Sequence, residues 1–310
     1  MIRFSVVIPL YNKKDYIFKC LESVFKQEYY ADEIIVINDG STDGGAELIR
    51  ESFGGRVNLI SQVNSGVSCA RNVGLEHATN EYVCLLDADD CWEPGFLMEI
   101  RFLILRHPEC IKYGTAFWYA DTRFGVSVSR TKLPSDFFGP LNFLPAYAAA
   151  SGIICSSSVC IRKSVFRSGL HFPEGKVRGE DIHLWLRLGM LGDFGFSGKR
   201  LVSVYRDEVS PSYLVRADIV SCYLEWIIEV LPSVEDCQKK SALRRILWKH
   251  TLINGMVALT QKRRLLLTDL YSLVWRRHGF LGSAVLGLHM MPPCMIILIR
   301  RVVSWRNRRS

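Results

Sequence analysis

The stretch "LLDADDCW" sets Asp87, Asp89 and Asp90 directly after an apolar run, Tyr82-Val83-Cys84-Leu85-Leu86. Side chains alternate along an extended backbone, so Asp87 and Asp89 lie on the same side of it. Two oxygen donors beyond a strand end suit a hard divalent ion such as Mg²⁺ or Mn²⁺, which keeps positions open for phosphate oxygens. The plainer reading is an Asp-rich turn, with Asp90 capping a helix that begins near Pro94. One Asp-x-Asp pair does not decide between them.

Other polar clusters have a similar setting. Asn38-Asp39-Gly40-Ser41 closes a second apolar run, and the Asp39 carboxylate there could accept a ring N–H of a nucleotide base; Asn-Asp-Gly is also ordinary turn chemistry. Pro9-Leu10-Tyr11-Asn12 closes a third, offering a rigid bend and an aromatic ring for stacking. Further on, Gly179-Glu180-Asp181 precedes the apolar periodicity of residues 182–191, which suits either a general base or a helix N-cap. No G-x-G-x-x-G follows the first strand and no G-x-x-x-x-G-K-[ST] occurs, which argues against a dinucleotide fold and a P-loop.

The elements that must position these residues are legible in the first third of the chain. Short apolar strands are expected at 4–8, 33–37, 57–60 and 82–86, with the first ended by Pro9. Between them come helical patterns: Ile17, Cys20, Leu21, Val24 and Phe25 on one face, then residues 46–52, then 66–77. Near-continuous apolar strands separated by helices indicate a mostly parallel, Rossmann-like α/β sheet covered on both faces. Ligands of such sheets sit beyond the carboxyl ends of the strands, where Pro9–Asn12, Asn38–Asp43 and Asp87–Asp90 fall. Residues 111–206 are less regular, with aromatic and small residues and a Ser/Cys run at 156–160. From about residue 216 the chain reads as helical.

Four ordered segments, "SVVIPLYN", "IIVINDGSTD", "NSGVSCARNVGLEHATNEYVCLLDADD" and "GEDIHLWLRL", resemble family 2 glycosyltransferases of the GT-A fold, bacterial cell-surface polysaccharide type. The resemblance covers residues 4–120 and returns at 178–206. It implies a catalytic domain at 1–210, with a nucleotide-binding half at 1–120 and an acceptor half at 121–210, followed by a helical appendage at 211–310. It implies that Pro9, Tyr11 and Asn12 surround the nucleotide base, that Asp39 reads it, usually as uracil, and that Arg71 lies on the nucleotide side. Asp87 matches a carboxylate near ribose and metal, Asp89 the principal ligand of Mn²⁺ or Mg²⁺, and Asp181 the catalytic base, with Glu180 beside it. Trp185 is expected to pack, and His183 to be a surface or acceptor-side residue. Many relatives carry Tyr-Arg-x-His-x-x-Ser; here Tyr205-Arg206-Asp207-Glu208-Val209-Ser210 has no His, so no third protein ligand is matched.

The implied reaction is inverting transfer of a hexose or N-acetylhexosamine from a nucleoside-diphosphate sugar, UDP-linked in expectation, to a saccharide hydroxyl. A metal-dependent nucleotidyltransferase would instead want basic residues at the first turn, where Lys13-Lys14 lack a Gly-rich loop. A non-catalytic sugar-nucleotide-binding module would be favoured by loss of Asp89 or Asp181, and both are present.

Charge is unevenly spread. The net charge is +8, yet the last 70 residues hold 13 Lys/Arg and one acid, Asp269, while the first 240 hold 26 bases and 30 acids. An acidic core argues against nucleic acid. Between Arg277 and Arg300 no charged residue occurs, Pro292-Pro293 interrupts the run, and Arg residues flank both ends. That pattern suggests a re-entrant or surface-lying segment on an anionic membrane; taken with the family resemblance, it implies a lipid-linked acceptor in a cell-surface polysaccharide or lipopolysaccharide pathway. The start of the chain lacks a signal-peptide pattern, and the 10 Cys form no C-x-x-C pair. The expected setting is the cytoplasmic side of the membrane, with reduced thiols.

Overall fold

The computed structural model describes residues 1–121, 126–128, 133–176, 178–205 and 220–260. The chain divides into two compact units, Met1–Tyr213 and Leu214–Ser310. In the first, β1 (Phe4–Leu10), β2 (Glu33–Asp39), β3 (Asn58–Gln62) and β4 (Tyr82–Leu85) alternate with α1 (Lys14–Phe25), α2 (Gly45–Phe53) and α3 (Val67–His77). These strands run parallel in the order β3-β2-β1-β4. Both faces are covered, so β1 is buried at every residue except Pro9. The chain steps outward from β1 to β2 and β3, then returns to place β4 on the other side of β1. That reversal opens a crevice at the carboxyl ends of β1 and β4.

β1 does not stop at Pro9 as the sequence suggests; it pairs with β2 through Leu10. Its pairing with β4 ends at Val7, whose carbonyl accepts from Leu86 N. Pro9 faces that same side beyond the last bond, so its missing N–H leaves no ladder partner unpaired.

The irregular middle supplies the rest of the sheet. After β5 (Cys91–Trp92) and α4 (Phe96–Arg106) come β6 (Lys112–Asp121), β7 (Val126–Val128), β8 (Phe138–Leu141), α5 (Phe143–Ala149), β9 (Val159–Arg162), α6 (Glu180–Leu191) and β10 (Phe194–Tyr205). β9 is antiparallel to both β4 and β6, while β6 and β10 run parallel. The sheet is therefore parallel in the first half and mixed in the second.

Close packing fixes α3 on the sheet. A Cβ on Gly74 would come within 2.2 Å of Val7 Cγ1, so only glycine lets α3 lie this close to β1. In the second unit, α7 (Cys222–Val230) precedes α8 (Cys237–Thr260), with Ile227, Ile228 and Leu224 of α7 buried. Among the described residues no helix is long and apolar enough to cross a membrane. The 277–300 segment and its flanking arginines lie outside the described residues.

Candidate active site

The loops after β1 and β2 are joined. Asn12 adopts φ 50°, a left-handed conformation that asparagine tolerates. Its N–H donates to Ser41 Oγ (3.1 Å), and its Oδ1 accepts from Thr42 N (2.8 Å). Beside it Tyr11 is 48% exposed, leaving a ring face open for stacking. Asp39 ends β2 and is buried. Its Oδ1 accepts from Gln62 Nε2 (2.7 Å) and Ser65 N (2.8 Å), and its Oδ2 from Gly66 N (2.9 Å). A carboxylate has about four lone-pair sites. Three of them here hold the β3–α3 turn in place, which leaves one for a ligand.

Beyond β4 the three aspartates separate into distinct environments. Asp87 Oδ1 accepts from Arg71 Nη2 at 2.7 Å, and Asp89 Oδ2 from Lys13 Nζ at 2.6 Å. Asp90 is buried and does not cap a helix: the N-cap of α4 is Gly95. Instead Asp90 accepts from Ser157 Oγ and from Tyr205 N (3.2 Å), and Ser157 Oγ in turn accepts from Asp87 N (3.1 Å). Asp90 thus ties the acidic turn to the residues before β9 and to the end of β10. Burial, then the charges of Asp87 and Asp89, push its pKa well above the usual carboxylate range.

Glu180 and Asp181 open α6, whose N-cap is Gly179 at φ 78°. Neither is the cap. Both sit in the first turn, where the helix dipole favours negative charge. Asp181 Oδ1 accepts from Ile182 N at 2.7 Å. Burial and the neighbouring Asp181 charge push Glu180 up to about 7, against the pull of Arg71. Burial likewise raises Asp181, again opposed by Arg71. Arg71 is the link between the two acidic groups. Its side chain is 5% exposed, and its Nη1 lies 3.7 Å from Glu180 Oε1 while Nη2 holds Asp87.

The structure therefore brings Asp87, Arg71, Glu180 and Asp181 together, with Asp89 and Lys13 on the same rim. Trp185 is buried and packs edge-on against Phe172 at 5.8 Å. His183 is partly buried, and burial takes its pKa down to about 4. The 206–210 segment lies outside the described residues.

Two participants escaped the motif reading. Lys13 was visible only as part of a Lys pair, and Ser157 only as part of a Ser/Cys run; neither signal names a partner 76 or 67 residues away.

Among the described residues no group of three His, Cys, Asp or Glu is arranged to hold a metal. A hard divalent ion does not need one: Mg²⁺ in phosphate-transfer sites is commonly held by one or two carboxylates, substrate phosphates and water. Asp89 fits that role, because a cation, the Lys13 ammonium, already sits against its carboxylate.

The family description "Glycosyl transferase family 2" matches residues 5–167, more than half of the chain. The chain belongs to glycosyl transferase family 2. This family 2 chain is 34% identical over 122 residues to the glycosyltransferase GlyA of Streptococcus pneumoniae, covering 39% of this chain and 18% of that protein. It is 48% identical over 91 residues to the uncharacterized glycosyltransferase YibD of Escherichia coli K12, covering 28% of this chain and 26% of that one. The matches thus span about a quarter or less of the length of these curated relatives. Structurally, the S. aureus TarS 1-349 complex with UDP-GlcNAc superposes with a TM-score of 0.70 at 19% identity, covering 90% of this chain and 83% of that chain. The two share the α/β fold expected from the sequence, with its GT-A-type sheet.

Proposed function

We propose that the protein is an inverting glycosyltransferase that moves a sugar from a nucleoside-diphosphate sugar to a hydroxyl of a saccharide acceptor. The observation that carries this reading is the Arg71 bridge. One guanidinium joins Asp87, on the rim expected to hold the donor, to the Glu180–Asp181 pair expected to act on the acceptor. A UDP-linked donor agrees with Asp39 and Tyr11 flanking the same crevice, and UDP-GlcNAc is the ligand of the structural neighbour TarS.

The residues divide the work. Tyr11 would stack on the base, and the remaining acceptor site of Asp39 would take a base N–H. Asp89, with Asp87, would hold Mn²⁺ or Mg²⁺, which supplies Lewis-acid neutralisation of the leaving diphosphate. Asp181 would accept the proton of the attacking hydroxyl as its oxygen bonds to the anomeric carbon. The anomeric C–O bond to phosphate breaks with its electron pair leaving on the diphosphate. A single displacement inverts the centre. Lys13, beside Asp89, is placed to meet the diphosphate as a second positive charge.

Donor turnover should require Mn²⁺ or Mg²⁺ and collapse in Asp89→Ala, measured as UDP release across a panel of UDP-sugars. Undiminished turnover by Asp89→Ala would overturn the metal assignment.

The acceptor is proposed to be lipid-linked, with the protein held peripherally at the cytoplasmic face of the membrane. Support comes from the basic, apolar composition of residues 241–310. Truncation after Gly279 should release the protein from anionic vesicles in a flotation assay. Undiminished flotation would contradict the anchor.

A further inference from the structure

Asn72 follows Arg71 on α3 and is buried. Its amide is bound by a segment about 100 residues away. Nδ2 donates to Phe172 O (3.0 Å) and to Glu174 Oε1 (2.9 Å), while Oδ1 accepts from Phe172 N (2.9 Å). Asn72 thus pairs with both backbone groups of Phe172, as a neighbouring strand would. The Phe172 ring is equally constrained. It lies under the Arg71 guanidinium at 5.2 Å and edge-on to Trp185 of α6 at 5.8 Å. Further along the chain Gly175 and Gly179 both take positive φ, and Gly179 is the N-cap directly before Glu180 and Asp181. At the other end, α3 is seated on β1 by the Gly74–Val7 contact. Packed contacts therefore connect the donor-side strand through α3, Asn72 and Phe172 to Trp185 of α6.

We infer that Asn72 is a positioning residue: it sets the placement of the Glu180–Asp181 pair relative to the donor rim. The inference rests on the assignment of that pair as the base. The side-chain type follows from the partners. Two donors and one acceptor are needed within one short planar group, which asparagine supplies. Aspartate keeps the acceptor for Phe172 N but faces a carbonyl and a carboxylate with no proton to offer. Misplacement of a catalytic group by an ångström costs about 100-fold in rate.

The test uses the full chain and the variants Asn72→Asp, Asn72→Ser and Asn72→Asp with Glu174→Gln, whose amide can donate back to the new carboxylate. Three quantities are read: UDP affinity by calorimetry, kcat and KM for UDP release from the UDP-sugar that wild type turns over fastest, and amide exchange at 172–182. Asn72→Asp is expected to lower kcat about 100-fold with donor KM and UDP affinity within about twofold. Exchange should accelerate at 172–182 and not in β1–β4, and the double variant should recover at least part of kcat. A kcat close to wild type, or a loss of kcat matched by equal losses of UDP affinity and of protection throughout the sheet, overturns the inference. If Asn72→Asp does not fold, Asn72→Ser decides by the same criteria. Failure of the base assignment looks different: Asp181→Asn would then release UDP at the wild-type rate, whatever the Asn72 variants do.

Discussion

Lys112 opens β6 with its side chain fully buried. Its Nζ has no hydrogen-bond partner among the described residues and lies 4.3 Å from the centre of the Phe143 ring and 5.6 Å from that of Phe194. Burial takes its pKa from 10.5 down to about 7, with Asp193 pulling the other way. The unfolded chain therefore binds more protons than the folded one between pH 7 and pH 10.5. Stability contributed by this residue rises with pH through that window, and its cost is complete below pH 7. A shift of about 3.5 units at about 1.4 kcal/mol each is about 5 kcal/mol. Lys112→Met keeps most of the volume and removes the charge. At about 2 °C per kcal/mol, the variant should melt about 10 °C above wild type at pH 6, the gain fading toward zero by pH 10.5. Thermal melts of both proteins from pH 6 to pH 10 measure this. A variant that melts below wild type at pH 6, or a gain independent of pH, would refute the reasoning.

Two predictions concern the site directly. Because burial holds Asp181 above its ordinary range, with Glu180 beside it pushed up to about 7, transfer should be lost as pH falls while still above the range of exposed carboxylates; kcat/KM between pH 5 and pH 9 locates that limb. Arg71→Met removes the opposing cation and should move the limb to higher pH. Lys13→Gln frees Asp89 of its ammonium and should tighten Mn²⁺ binding without nucleotide by about tenfold, read from the free-ion EPR signal.

Much of the donor half was legible because each element there carries its own local pattern. Ile17, Cys20, Leu21 and Val24 recur at helical spacing, and all four are buried on α1. β1, β2 and β4 each carry an apolar run, Val6–Leu10, Ile34–Ile37 and Tyr82–Leu85. The middle resisted because its information is long-range. β6 begins with a buried lysine, which breaks the apolar signal of a central strand, and β9 is four residues whose place between β4 and β6 depends on partners more than 40 residues away. The same holds for side chains. Alternation along an extended segment does not place Asp87 and Asp89, because β4 ends at Leu85 and Asp90 N donates to Asp87 O (3.0 Å) in a turn; likewise Arg71 between Asp87 and Glu180, Ser157 under Asp90 and Asn72 on Phe172 follow from how α3, β9 and α6 meet. Asp90 shows the limit well. Local sequence offered a helix five residues away to cap, whereas its partners are Ser157 and Tyr205.

The central claim is that Asp181 removes the proton from the acceptor while the donor is held elsewhere. The direct measurement is UDP affinity and sugar transfer in Asp181→Asn, which keeps the shape of the side chain and its bond from Ile182 N while removing its basicity. Calorimetry should give a UDP affinity within about twofold of wild type, and transfer should fall by about 100-fold or more. Transfer at the wild-type rate with intact UDP binding would contradict the account.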